Sequence, residues 1–314
     1  MGNKLVAGGF AVLLVISAVL AMFTSMNFPG VGVLSVQNEE NISYSPLENP
    51  EEYPITRPLY IYTDGVPAEN SSLYRWLEYI YSDDGQRYVK NAGFYPVTSE
   101  VKNKMEIQLN SGTINNNYGN GEIAQSGSTT LGDLATLWAN DFQEKYGIKV
   151  LLNTPGSGTG ITNLINGFVD AAQSSRDIKE IELESAKSNN VNIIEWIVAY
   201  DALAIVVHKD NPVTNITLED LKGIYNGTYT NWSELGGYDC PIVLYGRDSA
   251  SGSYDYFKEA ILDGESYSIK MQQFSSNALI VAEVENNLGG IGYVGVGYAE
   301  ESLADEWVGK QNGN

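Results

Sequence analysis

Three short stretches of glycine, serine and threonine stand out in this chain: SGSTT at 126–130, GSGTG at 156–160 and SASGS at 249–253. Each follows a strand-like run and opens a helix-like one. The N-terminus of a helix presents unpaired N–H groups and a partial positive charge, so such a loop suits an oxyanion, and small residues let the ligand reach the backbone. Hydroxyls add further donors. The same residue types also cap ordinary helices, so one such loop says little. The third carries more weight, because in YGRDSASGS Arg247 stands four residues before Ser251 and offers a planar guanidinium to a tetrahedral oxyanion. Asp248 is expected to brace it. A fourth stretch, SSRDIKEIELESAK from Ser174, predicts a helix capped by Ser175.

Other chemistries find little support. Neither GSGTG nor SASGS runs on into the GK[ST] of a nucleotide-binding loop, and the dinucleotide fingerprint is missing. A single histidine, His208, and a single cysteine, Cys240, leave little for a metal centre or a catalytic triad, and one cysteine excludes an internal disulfide. No base stands beside a serine nucleophile, which makes a phosphatase the weakest reading. What the residues allow is a small enclosed oxyanion held by helix ends and hydroxyls, with no metal and no cofactor.

The elements that must position these loops follow from hydrophobic spacing. RPLYIYT at 57–63 reads as a buried strand, and SLYRWLEYIYSDDGQRYVKNAG at 72–93 as a pair of helices stopped by Gly93. The Asn/Gly-rich segment 110–122 has no periodicity and reads as a flexible linker. Strands near 122–126 and at 148–153 alternate with helices over 131–145 and 160–168, and the alternation continues to Tyr298. It predicts an α/β fold of mostly parallel sheets flanked by helices.

At 314 residues with 43% hydrophobic content, the chain is long enough for two domains. A formal charge of -21 argues against a nucleic-acid partner. It also repels an anion at long range, so an oxyanion must be held by short-range donors in a desolvated cleft. LVAGGFAVLLVISAVLAMF at 5–23 is long and apolar enough to span a bilayer, as an uncleaved N-terminal anchor or as a signal peptide. Its length and the lack of a small-x-small cleavage site favour the anchor. Lys4 before it and the acidic remainder put the body outside the membrane. Sequons at Asn41, Asn70, Asn215, Asn226 and Asn231 suit such a surface protein.

Taken together, IAQSGSTTLGDLATLWANDFQEKYGIKV, PGSGTGITNLINGFVDAAQSSRDIK, YDALAIVVHKDNPVTNITLEDLKGIYNGTYTNWSELGG, IVLYGRDSASGSYDYF and GGIGYVGVGYAEE resemble the phosphate-binding proteins of ABC importers. The resemblance implies a two-lobed type II periplasmic-binding-protein fold. It also implies capture of inorganic phosphate between the lobes, delivery to an ABC permease, no catalysis and a monomeric receptor. EEYPITRPLYIYTDG and WLEYIYSDDGQRYVKNAGFYPV resemble the family's C-terminal end, yet here they precede the block that should open the chain. The order is that of a circular permutant, with 110–122 joining the former ends. On this reading residues 1–30 are the anchor or signal segment, 31–53 a strand and crossover of the second lobe, 54–200 the first lobe and 201–314 the second.

The family's ligand contacts carry over as Ser128, Thr129 and Thr130 in the first loop, Ser157 in the second, and Arg247, Ser251, Gly252 and Ser253 in the third. Ser253 stands where members often have threonine. Ser175 stands where some have an aspartate that accepts the proton of hydrogen phosphate and so rejects sulfate. Asp201, in YDALAIVV, is the candidate replacement acceptor or else a carboxylate satisfied by backbone donors. A receptor for sulfate, molybdate or another oxyanion is therefore the nearest alternative.

Overall fold

The computed structural model describes residues 30–299 apart from 39, 49–51, 112, 113 and 116. The apolar segment 5–23 lies outside the described residues, and among those described no helix is long and apolar enough to cross a membrane.

Strands β1 (Val31–Gln37) and β2 (Ser43–Tyr44) lead into β3 (Thr56–Asp64) and the short β4 (Val66–Pro67). The expected helix pair follows as α1 (Ser72–Tyr81) and α2 (Asp83–Asn91). Leu73, Trp76, Leu77 and Ile80 give α1 a buried stripe at helical spacing, and Ser71 caps it by accepting the Tyr74 N–H. Gly93 closes the pair with a φ of 74°, in the left-handed region. A helix that spacing did not suggest comes next, α3 (Ser99–Ser111). Its apolar stripe is only Val101, Met105 and Leu109, too narrow to register in a sequence window.

The linker is less free than its composition implies. Within it β5 (Ile114–Asn115) pairs with β4, the Tyr118 hydroxyl accepts the Asp64 N–H at 2.9 Å, and Gly119 accepts the Ser72 N–H. From there strands and helices alternate as β6 (Ile123–Gly127), α4 (Gly132–Tyr146), β7 (Val150–Asn153), α5 (Ser157–Ile165), β8 (Ala171–Ser174), α6 (Glu180–Ser188) and β9 (Ile193–His208). The chain continues as β10 (Asn215–Thr217), α7 (Leu218–Asn226), β11 (Val243–Arg247), α8 (Gly252–Ala260), β12 (Gln272–Phe274), α9 (Asn277–Glu285) and β13 (Gly290–Gly295). Helix α5 starts three residues before its expected position, which puts most of GSGTG inside its first turn. Helix α6 starts later than expected: Lys179, not Ser175, occupies its N-cap, because Glu182 reaches back to accept the Lys179 N–H at 2.9 Å.

The main sheet runs β12-β11-β13-β9-β3-β8-β6-β7, with β1 also pairing β9. It is mixed rather than mostly parallel. Strands β6, β7 and β8 lie parallel to one another, as strand–helix–strand alternation requires, but β3 enters antiparallel between β8 and β9. At the other end β11, β12 and β13 are parallel, and β9 is the strand that opposes β13 and β1.

Alternation along β9 feeds several cores. Trp196 and Val198 pack with Leu59 and Ile61, whereas Tyr60 and Tyr62 face the sheet's other side. Beyond residue 201, Leu203, Ile205 and Val207 join a separate core with Leu34 and Ile291, and Ala204 and Val206 join Ile280 and Val284. The change of core falls between Ala199 and Ala202, next to the bridge of Tyr95 to Tyr200.

Candidate oxyanion-binding site

The N-termini of α4, α5 and α8 converge beside the middle of β9. Thr130 Oγ1 lies 3.3 Å from Ser253 Oγ. A Cβ on Gly252 would come within 2.4 Å of Ser157 Oγ and 2.5 Å of Ser175 Oγ, so only glycine lets the first turn of α8 sit this close to the second loop. Ser157 Oγ and Ser175 Oγ are themselves 3.4 Å apart. All these hydroxyl-bearing residues are buried.

Two of the three helices keep their first turns unclaimed by side chains: neither α4 nor α5 has a capping side chain. The Ser128 hydroxyl instead accepts the N–H of Thr130, and α8 is capped by Ser251, which accepts the N–H of Ser253. Ser251 thus shapes the loop by capping. The first loop is held by a buried relay in which Trp76 Nε1 donates to Gln125 at 2.9 Å and Gln125 to Gln173 at 2.7 Å. Gln173 Nε2 then donates to the Ser128 carbonyl at 2.6 Å.

Arg247 closes one side. Its guanidinium donates to Asn277 Oδ1, to the carbonyls of Phe274 and Ser275, and across to Thr129 Oγ1 at 2.6 Å. Its own N–H donates to the Tyr293 hydroxyl. Burial lowers its pKa from the usual guanidinium value, with Asp248 pulling the other way. The expected brace by Asp248 is not what the hydrogen bonds build: Asp248 Oδ1 accepts the Ala250 N–H and shapes the turn into α8.

The sequence reading missed Arg57. This β3 residue is 1% exposed and donates through Nε and Nη2 to Asp201 Oδ2 at 3.1 and 2.7 Å. It also donates to the Ser175 carbonyl at 3.0 Å and to Ser253 Oγ at 2.8 Å. The available signal was a lone cation in a strand otherwise apolar enough to be buried, which demands a partner. Asp201 is that partner, directly opposite in the strand register. Its Oδ1 accepts the Val296 N–H at 3.1 Å. Burial pushes the Asp201 carboxyl above the ordinary carboxylate range, against the pull of Arg57.

Around the mouth, Arg176 Nε and Lys179 Nζ lie 2.9 and 2.7 Å from Asp255 in the first turn of α8, and Arg176 also pairs with Glu182 at 2.7 Å. Burial works against the charge on Arg176, and its carboxylate partners outweigh that and raise its pKa.

Buried hydroxyls and an arginine at converging helix ends make a donor-rich place for a small anion. A family model described as a PBP superfamily domain matches residues 112–312. The chain belongs to the PBP superfamily. This PBP-superfamily chain is 32% identical over 207 residues to the phosphate-binding protein PstS of Pseudomonas aeruginosa, covering 62% of this chain and 64% of that protein. It is 34% identical over 187 residues to protein SphX of Synechococcus elongatus, covering 57% and 56% of the two chains. The PBP chain thus spans less than two thirds of the length of these curated relatives. Among solved structures it is similar to a putative phosphate ABC transporter substrate-binding protein from Clostridium perfringens with bound phosphate. The identity is 33%, the TM-score 0.52, and the match covers 58% of this chain and 73% of that one.

Proposed function

We propose that this chain is an extracytoplasmic receptor, not an enzyme, that captures inorganic phosphate between two lobes and delivers it to an ABC permease. The observation that carries the reading is the gathering at the N-termini of α4, α5 and α8 of Thr130 against Ser253 and of Ser157 against Ser175, with Arg247 donating to Thr129 beside them. Relatives named for phosphate binding, and a similar structure holding phosphate, support the choice of anion. The ligand contacts are Ser128, Thr129, Thr130, Ser157, Ser175, Arg247, Ser251, Gly252 and Ser253, with Asp201 acting through Arg57.

Residues 54–200 form the first lobe, and 201–314 with 31–53 the second. The division of the cores at Ala199 and Ala202 supports this split. The family match begins at residue 112 although β3 lies in the sheet between β8 and β9, which supports a permuted order. The segment 1–30 anchors the receptor, a monomer, in the membrane, or is removed on secretion.

Titration of the soluble body with phosphate, then with sulfate as competitor, tests the function. Micromolar or tighter phosphate binding is expected; no binding sinks the reading. A second reading, a receptor for sulfate or another oxyanion, is favoured by one observation. Asp201 is paired to Arg57 and a backbone N–H, and Ser175 supplies only a hydroxyl. Equal competition by sulfate would select it.

A further inference from the structure

Arg57 makes more bonds than a structural ion pair needs. Asp201 alone would neutralise it. Yet Nη2 also reaches across to Ser253 Oγ on α8, 196 residues away in sequence. A guanidinium has no acceptor and can only donate. The oxygen of Ser253 is therefore the acceptor in that bond, and its own hydrogen must point elsewhere, towards Thr130 Oγ1 or a ligand beside it. Arg247 treats Thr129 in the same way, donating to its Oγ1. The two arginines thus turn one hydroxyl each into a committed donor.

We propose that Arg57 is a positioning residue of the anion site, fixing the Ser253 hydroxyl as a donor to the ligand while Asp201 holds its guanidinium in place. This rests on the phosphate reading and goes beyond it in assigning a proton direction. Arg57 and Asp201 together add no net charge, so the anion's charge is met by Arg247 and by neutral donors whose direction is set in advance. A ligand offering its own O–H towards Ser253 would have only the oxygen's remaining lone pair to bond, in competition with Thr130, and would be disfavoured. Hydrogen phosphate is therefore expected to favour the orientation that turns its proton away from Ser253.

The test is phosphate titration of the wild type, Ser253→Ala, Ser253→Thr, Arg57→Lys and the Arg57→Lys/Ser253→Ala double variant, with thermal melts to check folding. Each single loss is expected to weaken binding by roughly 10-fold, the range of one charge-assisted hydrogen bond. Ser253→Thr keeps the hydroxyl and should bind within about 3-fold of wild type. In the S253A background Arg57→Lys should cost less than about 2-fold, because the route through the hydroxyl is already gone. Independent multiplication of the two losses, or wild-type affinity in S253A, overturns the proposal while leaving phosphate binding intact. Absence of binding by the wild type overturns both. Should Arg57→Lys fail to fold, Asp201→Asn takes its place. It loosens the guanidinium without removing it, and its effect must likewise vanish in the S253A background.

Discussion

Arg247 Nη2 donates to Thr129 Oγ1 at 2.6 Å, joining the end of β11 to a loop 118 residues earlier in the chain. The bond joins a strand end beside the core of Leu244 to a loop beside the core of Leu131. Arg247→Lys keeps the charge but cannot serve Asn277, Ser275 and Thr129 together. Phosphate affinity should fall by about 10- to 100-fold by calorimetric titration, with a lower melting temperature as well, because the Ser275 and Phe274 carbonyls lose donors.

Asp255 is the carboxylate through which α8 meets Arg176 and Lys179. Breaking a partly buried charge pair acts chiefly on dissociation. In Asp255→Asn, phosphate release followed by stopped-flow tryptophan fluorescence should accelerate by roughly 10-fold or more, with association nearly unchanged. An unchanged release rate would show that these ion pairs do not slow the ligand's departure.

Gly160 lies where a Cβ would come within 2.4 Å of Gly127 Cα and 2.5 Å of the Ser126 carbonyl. Neither neighbour is a flexible side chain, so Gly160→Ala must push α5 away from β6. A loss of ~1–3 kcal/mol in chemical unfolding is expected, together with weaker phosphate binding through the displaced Ser157.

Acid sensitivity should come from surface carboxylates. Hydrogen bonds from Lys145 and Arg87 hold Asp84 below its ordinary value of 3.8, and Lys222 with Asn226 does the same for Glu265, whose ordinary value is 4.5. A pKa lowered on folding means that the unfolded chain binds protons first. The stabilisation is therefore complete above the ordinary values and is lost as pH falls through the folded ones. Melting temperature should drop below about pH 4, and Lys145→Gln should flatten that slope, as should molar salt.

Much of the site was legible because it is local. Ser128, Thr130, Ser157 and Ser253 stand next to the helices whose ends they occupy, so short sequence windows contained both the loop and the reason for it. Arg57 was hidden because its partners Asp201 and Ser253 are 144 and 196 residues away. A window around TRPLYIYT shows an apolar strand and not the carboxylate facing it. The reversal of β3 had the same cause: strand–helix alternation predicts parallel neighbours, and β3 is set between β8 and β9 by a long return of the chain. Helix α6 fails differently, since the Glu182 side chain fixes its start more strongly than the serines upstream.

The threading of β1 and β3 also bears on how the chain is made. Val31 pairs with His208, and Tyr60 with Ser174 and Ile197. During synthesis these early strands emerge with bare edges and must wait for most of the polypeptide before their ladders close. Closure of these ladders therefore awaits β8 and β9, and until then their open edges can pair with other chains.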